Sequence, residues 1–535
     1  MFPWAESRVS MFRKDGKKMK RRVKSTVALL LTGAMAVSCL AGCGGNKQGD
    51  KKGTSTTDVE IAYWNSGLGT GWLDDVIEGF KTVHPEYNVY YTATADAAAI
   101  GSALGMEDVD SVDLYLGLTS TKTQYLEPLD DVLDATADGE TKSIREKINP
   151  GYLALMQDAD GKVHNLTYGG GVISFVYSKK MFQEAGITQL PRTTDELAVV
   201  CDALRKKDMV PLCHFIDGGY YEFVNEAFYM QYEGQDYYLN NFYACKDDNG
   251  VSPSKEVFKK QDGRYNILKA YEKFITPENV LQGSNSGSHV NMQTMFVNGE
   301  CAMMASGSWM ANEMKGNGNL EDFDMMRLPV LSSITDKLDT VKKESDLRKL
   351  ISAIDSVLDG EKTAADYQSG DGYQVEDTVI SAADWDYVYA ARTTLAINFS
   401  GESAYIPNYS NAKEGAKEFL KYLYSDEGYK VYSGDSHLIL PVSLCEGSLD
   451  MSDWSDFEKS QYQYLMEGTR YASSYNMSKH AIFTDGGASL FAGINFINHF
   501  CTKNEADRYS ADEAWEKIQK EVDAKYESTW LANIK

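Results

Sequence analysis

The sequence has 535 residues, with 78 aspartates and glutamates against 53 lysines and arginines, and a formal net charge of −25 at pH 7. Proteins that bind nucleic acid need basic faces, so this charge balance excludes nucleic acid as a partner. A chain of this length predicts two or three domains.

The N-terminus has the layout of an export signal. A basic patch at residues 17–24 precedes an apolar run from Val27 to Leu40, which is too short for the roughly 20 residues that cross a bilayer. The run ends in Leu-Ala-Gly-Cys, which resembles the bacterial lipobox. This resemblance predicts a lipoprotein signal peptide at 1–42 and acylation of Cys43, for example by palmitate, which would anchor the protein to the extracellular face of the cell membrane. The alternative is an ordinary cleaved signal followed by a chance cysteine.

Removal of residues 1–42 would leave 493 residues with a net charge of −32 and six widely spaced cysteines. These cysteines include no C-x-x-C pair, and the histidines are scattered, so the spacing predicts no metal site. We expect buried free thiols, because a chain of this length can build a core without disulfides. The one bridge that the spacing leaves open would join Cys201 to Cys213.

The first globular segment follows a polar stretch. Residues 43–57 lack apolar side chains after the cysteine and predict a flexible tether. Val59 to Trp64 alternates like a strand, the run from Leu73 to Phe80 has a helical period, and Asn88 to Tyr91 predicts a second strand. Strand, helix and strand at this spacing predict a parallel sheet with the helix packed on it.

Two more strands are predicted further along the chain. Val112 to Leu116 and Val172 to Tyr177 are continuous apolar runs that favour buried strands. Thr193 and Glu196 are spaced as a capping box before an amphipathic helix. The elements so far therefore indicate an α/β protein.

The second half of the chain contains an insertion and a capped terminal helix. Residues 331–395 combine mixed charge, a helical period and a stretch rich in glycine and aspartate. The helix carries an apolar face formed by Leu347, Leu350, Ile351, Ile354 and Leu358. Ser510 and Glu513 are spaced as a second capping box, before a helix that presents Trp515, Ile518 and Val522.

Five segments, in order, resemble the family 1 extracellular solute-binding proteins of bacterial ABC importers, the maltose-binding type. They span roughly residues 58–440 and are the strand and helix of 59–86, the run 160–182, the run 186–197, the run 295–309 with its Gly307-Ser308-Trp309, and the helix of 416–428. The sequence departs from the family at Gly169, where many relatives have proline, and in the insertion.

The resemblance implies a two-lobed α/β fold, like that of periplasmic binding proteins, with hinge-crossing strands and a ligand cleft between the lobes. On this basis, 58–165 is expected in lobe 1, 166–302 in lobe 2 and 303–328 in a return to lobe 1. The segment 329–395 contains the insertion, and 396–535 supplies the remaining helices of both lobes.

The resemblance also implies a function. Ligand that touches both lobes favours a closed form, which docks on permease subunits in the membrane. We expect a monomer that delivers a carbohydrate, since aromatic residues make up 12% of the chain and tyrosines number 34. Sugars present apolar faces that stack on aromatic rings and hydroxyls that bond to carboxylates and amides.

Nine residues are candidates for ligand contact. Trp64, Asn65 and Trp72 follow the first strand, where ligands of open α/β sheets sit. Trp309 matches the family's glycine-x-tryptophan position, which stacks on sugar in relatives, while Tyr168 lies at the crossing. The remaining candidates are Asp96, Asp113, Tyr221 and Glu222. For each aromatic residue the alternative is core packing.

Other motifs and functions are less favoured. Gly67 to Trp72 follows a strand as a dinucleotide fingerprint does, but tryptophan replaces its last glycine, so no cofactor is expected. The alternatives to a receptor are a surface glycoside hydrolase, which needs two carboxylates across the sugar, and a sensory or adhesion lipoprotein without a transporter. The sequence favours a binding protein over an enzyme.

Overall fold

The computed structural model describes the chain in segments, with short gaps between them. The described residues are 47–48, 56–65, 68–96, 100, 112–120, 122–158, 160–169, 171–216, 219–317, 320–398, 402–473 and 480–535. The predicted signal peptide and Cys43 lie outside these residues. Among the described segments, no helix combines the length and apolar character that crossing a membrane requires.

Strands and helices alternate along the described chain. The strands are β1 Lys47–Gln48, β2 Asp58–Trp64, β3 Asn88–Thr94, β4 Leu114–Leu116, β5 Leu166–Thr167, β6 Gly171–Ser178, β7 Leu212–Cys213, β8 Met303–Gly307, β9 Phe323–Met325, β10 Gln368–Ser369, β11 Gly372–Val375, β12 Thr378–Ser381, β13 Thr394–Asn398, β14 Ser403–Tyr405 and β15 Arg470–Ala472. The helices are α1 Gly71–Val83, α2 Asp130–Asp134, α3 Ile144–Lys147, α4 Pro150–Met156, α5 Lys179–Glu184, α6 Thr194–Arg205, α7 Tyr221–Glu233, α8 Gln235–Tyr237, α9 Glu256–Lys259, α10 Asp262–Phe274, α11 His289–Val297, α12 Met310–Glu313, α13 Glu344–Leu358, α14 Ala382–Arg392, α15 Lys413–Leu423, α16 Asp426–Ser436, α17 Asp456–Glu467, α18 Ala481–Thr484, α19 Phe496–Phe500, α20 Ala511–Lys525 and α21 Leu531–Asn533.

The first sheet has the strand order β1-β3-β2-β4-β14-β5 and forms the centre of lobe 1. The predicted strand-helix-strand unit is confirmed: β2 and β3 pair in parallel, with Asp58 opposite Asn88. Helix α1 buries Leu73, Val76 and Phe80 against this sheet, because residues three to four apart share one helical face.

The second sheet, with the order β15-β13-β6-β8-β7, forms the centre of lobe 2. The expected return of residues 303–328 to lobe 1 does not occur at the level of strand pairing. Both strands of this segment, β8 and β9, pair with β6 in the second sheet. Strand β8 is buried along its whole length, and β6 is buried at all but one position. Two strands of this kind fit side by side in the middle of a sheet that is covered on both faces.

The chain passes from the first sheet to the second after β5, returns before β14, and enters the second sheet again between β14 and β15. The crossing after β5 and the crossing before β14 frame the candidate hinge. The two crossings touch, since the Tyr168 amide donates to the Glu402 carbonyl over 2.8 Å. Gly169 permits this contact, because a Cβ at that position would lie 2.5 Å from the Glu402 Cβ. The glycine that departs from the family pattern therefore accommodates a glutamate from the other crossing.

The predicted insertion is a compact unit with its own sheet. Helix α13 buries Leu347, Leu350, Ile351 and Ile354, as predicted. Strands β10, β11 and β12 form a small antiparallel sheet, and Tyr373 on β11 stacks on Trp385 of α14 with ring centroids 4.2 Å apart. The unit attaches to lobe 2, where the Tyr387 hydroxyl donates to the Tyr232 carbonyl at the end of α7.

Three local predictions have different outcomes. The capping box of Ser510 and Glu513 is complete. Thr193 accepts a hydrogen bond from the Glu196 amide, but the Glu196 carboxylate binds Arg192 instead of closing the box. The six cysteines of the described chain are free thiols, as expected, so the Cys201–Cys213 disulfide that the spacing left open is not formed.

The segment expected to be a tether contains one element of the first sheet. Lys47–Gln48 pairs antiparallel with the edge strand β3, with Lys47 opposite Thr92 and Gln48 opposite Tyr91. Two residues within the predicted 43–57 tether therefore lie against lobe 1.

Candidate ligand cleft

The crossings place two sheet edges opposite each other. In lobe 1, the strands β2, β3 and β4 are parallel, so their carboxyl ends lie at one edge of the sheet. The crossing before β14 reaches the same edge, because the Gly117 amide just after β4 donates to the Ser403 carbonyl at the start of β14. In lobe 2, the carboxyl ends of β7, β8 and β13 meet the start of β6 at the other end of the crossings. Ligands bind beyond the carboxyl ends of strands in open α/β sheets, so the space between these edges is the candidate site.

Trp64, Asn65 and Asp96 lie together on the lobe 1 side of this cleft. Trp64 is half-buried, and its indole N–H donates to the Ala95 carbonyl over 3.2 Å. The Asn65 side chain accepts from the Gly69 amide over 3.0 Å, which fixes the turn before α1. Asp96 is exposed at the end of β3. The structure therefore brings these three predicted residues to one edge, with the tryptophan held rigidly.

Trp309 follows β8 on the lobe 2 side. Its indole N–H donates to the Tyr220 hydroxyl over 3.0 Å, and the two rings meet edge to face with centroids 4.9 Å apart. The Trp309 ring lies over Gly307, where a Cβ would approach it to 2.3 Å. The glycine-x-tryptophan spacing thus has a steric reason, because only glycine lets the ring lie back on the strand.

The tyrosine that contacts Trp309 is Tyr220, which the sequence analysis did not name, and not its predicted neighbour Tyr221. Tyr221 is 2% exposed and packs in the lobe 2 core against Phe175 and Tyr271. Helix α7 begins at Tyr221, so consecutive residues at its start point in different directions. Glu222, the next candidate, is exposed on the first turn of the same helix.

Two aromatic candidates, Trp72 and Tyr168, are buried in the core of lobe 1. Trp72 is 1% exposed and packs between Tyr168 and Tyr432, while its indole N–H donates to the Tyr63 hydroxyl. Tyr168, which is fully buried, belongs to the same aromatic cluster. Both side chains therefore pack the core of lobe 1 beneath the crossings and are not available to a ligand in this conformation.

Asp113 has a structural role. Its carboxylate accepts hydrogen bonds from the Glu60 amide, the Ser410 hydroxyl and the Ala412 amide at 2.6 to 3.2 Å. These three donors tie β2 to the loop before α15. A carboxylate with its acceptor sites used in this way does not need a sugar hydroxyl as a partner.

A cavity of about 570 Å³ opens between the lobes, and sequence reasoning missed it. Met310 and Ala311, just after Trp309, line one side, and Asp435 and His437 at the end of α16 line the other. His437 stacks on Trp454, with centroids 5.4 Å apart, and its Nδ1 lies 2.9 Å from a Glu458 carboxylate oxygen. These residues come from separate elements, so no spacing in the sequence joins them.

A second cavity, of about 240 Å³, lies in lobe 2 behind Tyr220. Tyr221 and Glu222 line it together with Glu226, one turn further along α7. The i, i+4 spacing of the two glutamates was a signal that the sequence contained and that our sequence analysis did not use.

The carboxyl of Glu402 is buried at the crossings themselves. It is 8% exposed, its Oε2 has no hydrogen-bond partner, and burial raises its pKa from 4.5 to about 7. The hydroxyls of Tyr168 and Tyr432 are likewise buried and unpartnered. The hinge therefore contains a polar cluster without a compensating cation among its described neighbours.

Two sheets joined by paired crossings, with a cleft between their carboxyl edges, define a two-lobed solute-binding protein. A family model described as bacterial extracellular solute-binding protein matches residues 67–430, and the chain belongs to this family. The members of this family are binding proteins that act outside the cell.

Solved structures show the same fold. The bacterial solute receptor AcbH is 13% identical, with a TM-score of 0.59 and coverage of 89% of this chain and 100% of that one. A probable secreted solute-binding lipoprotein from Streptomyces coelicolor is 13% identical, with a TM-score of 0.55 and coverage of 90% and 100%. The GacH receptor of Streptomyces glaucescens is 13% identical, with a TM-score of 0.51 and coverage of 88% and 99%. No curated protein matches the sequence significantly.

The buried hinge carboxyl predicts a dependence of stability on pH. The pKa of Glu402 is about 7 in the folded chain and near 4.5 when the group is exposed. The protonated group therefore contributes to the free energy of unfolding below pH 4.5, and this contribution is lost as the pH rises to 7. We expect Glu402→Gln to raise the free energy of unfolding by about 1–3 kcal/mol at pH 8 and to change it little at pH 4.5, measured by urea unfolding.

The matched control is Glu361→Gln, which removes an exposed carboxyl of the insertion. It should leave the free energy of unfolding unchanged at both pH values. Equal stability of Glu402→Gln and the unmodified protein at pH 8 would contradict the account of the hinge.

Proposed function

We propose that this protein is a cell-surface lipoprotein receptor that captures a carbohydrate, with an oligosaccharide favoured, and delivers it to the permease of an ABC importer. The observation that carries the proposal is the pair of aromatic walls on facing sheet edges, Trp64 on lobe 1 and Trp309 with Tyr220 on lobe 2. Flat rings held rigidly on both sides suit the apolar faces of a sugar.

The polar groups of the cleft fit the same ligand class. Asp96 and Glu222 are exposed beside the aromatic walls and can accept hydrogen bonds from hydroxyls, and the Asn65 amide can also donate. Two relatives of the same fold support the choice of sugar: AcbH is described as preferring β-D-galactopyranose, and GacH was crystallised with acarbose.

The proposed cycle follows from the position of the crossings. A ligand that stacks on Trp64 and Trp309 at once interacts with both lobes only when they are close, so its binding energy selects the closed arrangement. The closed arrangement would present a joint surface of both lobes to the permease. Release of the unchanged sugar there would restore the open form.

A thermal-shift screen of the mature chain tests the ligand class. The probes are D-galactose, raffinose, acarbose, maltotriose, triacetylchitotriose, a tripeptide and citrate. A ligand at 100 times its dissociation constant stabilises the folded state by about 2.7 kcal/mol, which gives a visible shift. A shift with a sugar, without product on incubation, supports the receptor; a shift with the tripeptide or citrate alone overturns the choice of carbohydrate.

The aromatic wall gives a direct prediction. Trp309→Ala should weaken binding of the sugar identified by the screen by about 1–3 kcal/mol, because it removes a stacked ring and leaves the Tyr220 hydroxyl without its indole partner. Isothermal titration calorimetry measures the change. Tyr125→Ala, which removes an exposed ring of lobe 1 away from the cleft edge, serves as the control and should bind normally. Unchanged affinity in a folded Trp309→Ala protein would remove this residue from the site.

The anchor is tested separately at Cys43. Cys43→Ala should abolish incorporation of labelled palmitate in the expressing cells and shift the protein from the membrane fraction to the medium, since an anchored lipoprotein needs its acyl chains to stay bound. Cys445→Ala, which removes the half-buried thiol, is the control and should remain with the membrane. Retention of the Cys43→Ala protein in the membrane fraction, with labelling intact, would contradict lipidation at this residue.

A further inference from the structure

The smaller cavity of lobe 2 has the construction of a ligand pocket. One wall is the start of helix α7, with Glu222 and Glu226, and the other is the aromatic stretch around Phe483, Phe491 and Phe496. Its volume of about 240 Å³ corresponds to about eight water molecules at roughly 30 Å³ each. A pocket of this kind accepts one small group and not a whole oligosaccharide.

The cavity lies on the cleft side of lobe 2. Helix α7 begins directly after Tyr220, which bonds to Trp309. Asn495, on the opposite wall, and the nearby Asn498 donate to the Ile216 carbonyl over 3.2 and 2.7 Å, just after the carboxyl end of β7. The start of α7 and the exposed Glu222 therefore lie on the side of lobe 2 that carries Trp309.

Glu226 is an unpaired acid at the base of this cavity. It is 4% exposed, its Oε2 is buried without a hydrogen-bond partner, and no ion pair among the described residues includes it. Burial raises its pKa to about 8; the nearby hydroxyls of Tyr243 and Tyr238 oppose this shift, and Glu222 adds to it.

The nearest cation does not neutralise Glu226. Arg264 lowers the pKa of Glu226 by its charge, but its guanidinium donates hydrogen bonds to the Tyr229 hydroxyl and the Val257 carbonyl and not to the carboxyl. A buried carboxylate with one oxygen that lacks a hydrogen-bond donor costs free energy, and a partner that brings both charge and hydrogens removes that cost.

The two glutamates and the aromatic walls together favour one ligand chemistry. Glu222 and Glu226 are four residues apart on α7, so both carboxyls lie on one helical face. Aromatic rings stabilise a cation that has lost its water, and carboxylates accept its hydrogens. An uncharged hydroxyl could also bond to Glu226, but it would not favour the ionised carboxylate as an ammonium group does.

We propose that the cavity formed by Glu222, Glu226 and the surrounding aromatic rings binds a protonated amino group of the captured ligand, which makes an amino sugar the preferred cargo. The inference rests on the proposed function, since it assigns a class of carbohydrate to the same cleft. It predicts that cationic sugars bind more tightly than neutral sugars of the same size.

Proton release follows from the same arrangement. In the free protein at pH 6.5, Glu226 is protonated, because its pKa is about 8. An ammonium group in the cavity favours the carboxylate, so binding releases a proton from Glu226. A residue with a merely structural role would not change its protonation when the ligand binds.

The test compares two probes with the same sugar chain, the trimer of D-glucosamine, whose nitrogens are amines, and the fully acetylated trimer, whose nitrogens are uncharged amides. Calorimetry of the mature chain at pH 6.5, in two buffers of different ionisation enthalpy, measures affinity and proton release together. We expect the amino trimer to bind at least 10-fold more tightly than the acetylated trimer and to release about one proton. Glu226→Gln should reduce this preference by at least 10-fold and abolish the release.

Two further variants make the result specific. Glu233→Gln removes another buried carboxyl of α7, one that is already paired with Lys260 and Lys337, and should keep the preference for the amino trimer. Ala488→Leu partly fills the cavity without touching the carboxyl and should reduce the preference even if Glu226→Gln folds poorly.

The outcomes separate this inference from the proposed function. Equal binding of the two trimers, or an unchanged preference in both folded Glu226→Gln and Ala488→Leu, overturns the amine site while leaving a sugar receptor intact. If neither trimer binds, the amine site is also overturned, and the separate screen of neutral sugars then decides the proposed function.

Discussion

The contact between the two crossing segments is the constraint on which the rest of the molecule depends. The bond from the Tyr168 amide to the Glu402 carbonyl joins the segment that follows β5 to the segment that precedes β14. Because the crossings run side by side, the carboxyl edges of both sheets face the same space. Trp64 and Trp309 then oppose each other, although 245 positions separate them in the chain.

The buried charged groups of this acidic protein are of two kinds, those with a partner of opposite charge and those without one. The Lys147 ammonium, with no exposed surface, lies 2.7 Å from Glu140 and 2.9 Å from Asp426, so it occupies the space between these acids and its charge is balanced. Glu226 and Glu402 have no such partner. A buried acid that the fold leaves uncompensated costs stability, and such costs concentrate where a protein binds or moves.

The sequence predicted those features that depend on local pattern. Periodicity placed β2, α1 and the insertion helix, and the glycine-x-tryptophan spacing placed Trp309. Trp72 was predicted to contact ligand, but helical periodicity already places its side chain on the buried face with Leu73 and Val76. The lobe of residues 303–328 could not be predicted, since an apolar strand fits either sheet and only tertiary pairing decides. The His437–Trp454 stack and the Glu226 cavity likewise exist only after distant elements meet.

The short strand β1 limits the distance between lobe 1 and Cys43, the proposed site of acylation. Lys47 lies only four positions after Cys43, and an extended chain spans at most about 14 Å over that distance. With acyl chains on Cys43, the edge of the first sheet would therefore be held close to the lipid headgroups. The bilayer would therefore restrain lobe 1, and lobe 2 would move relative to lobe 1 when the cleft closes.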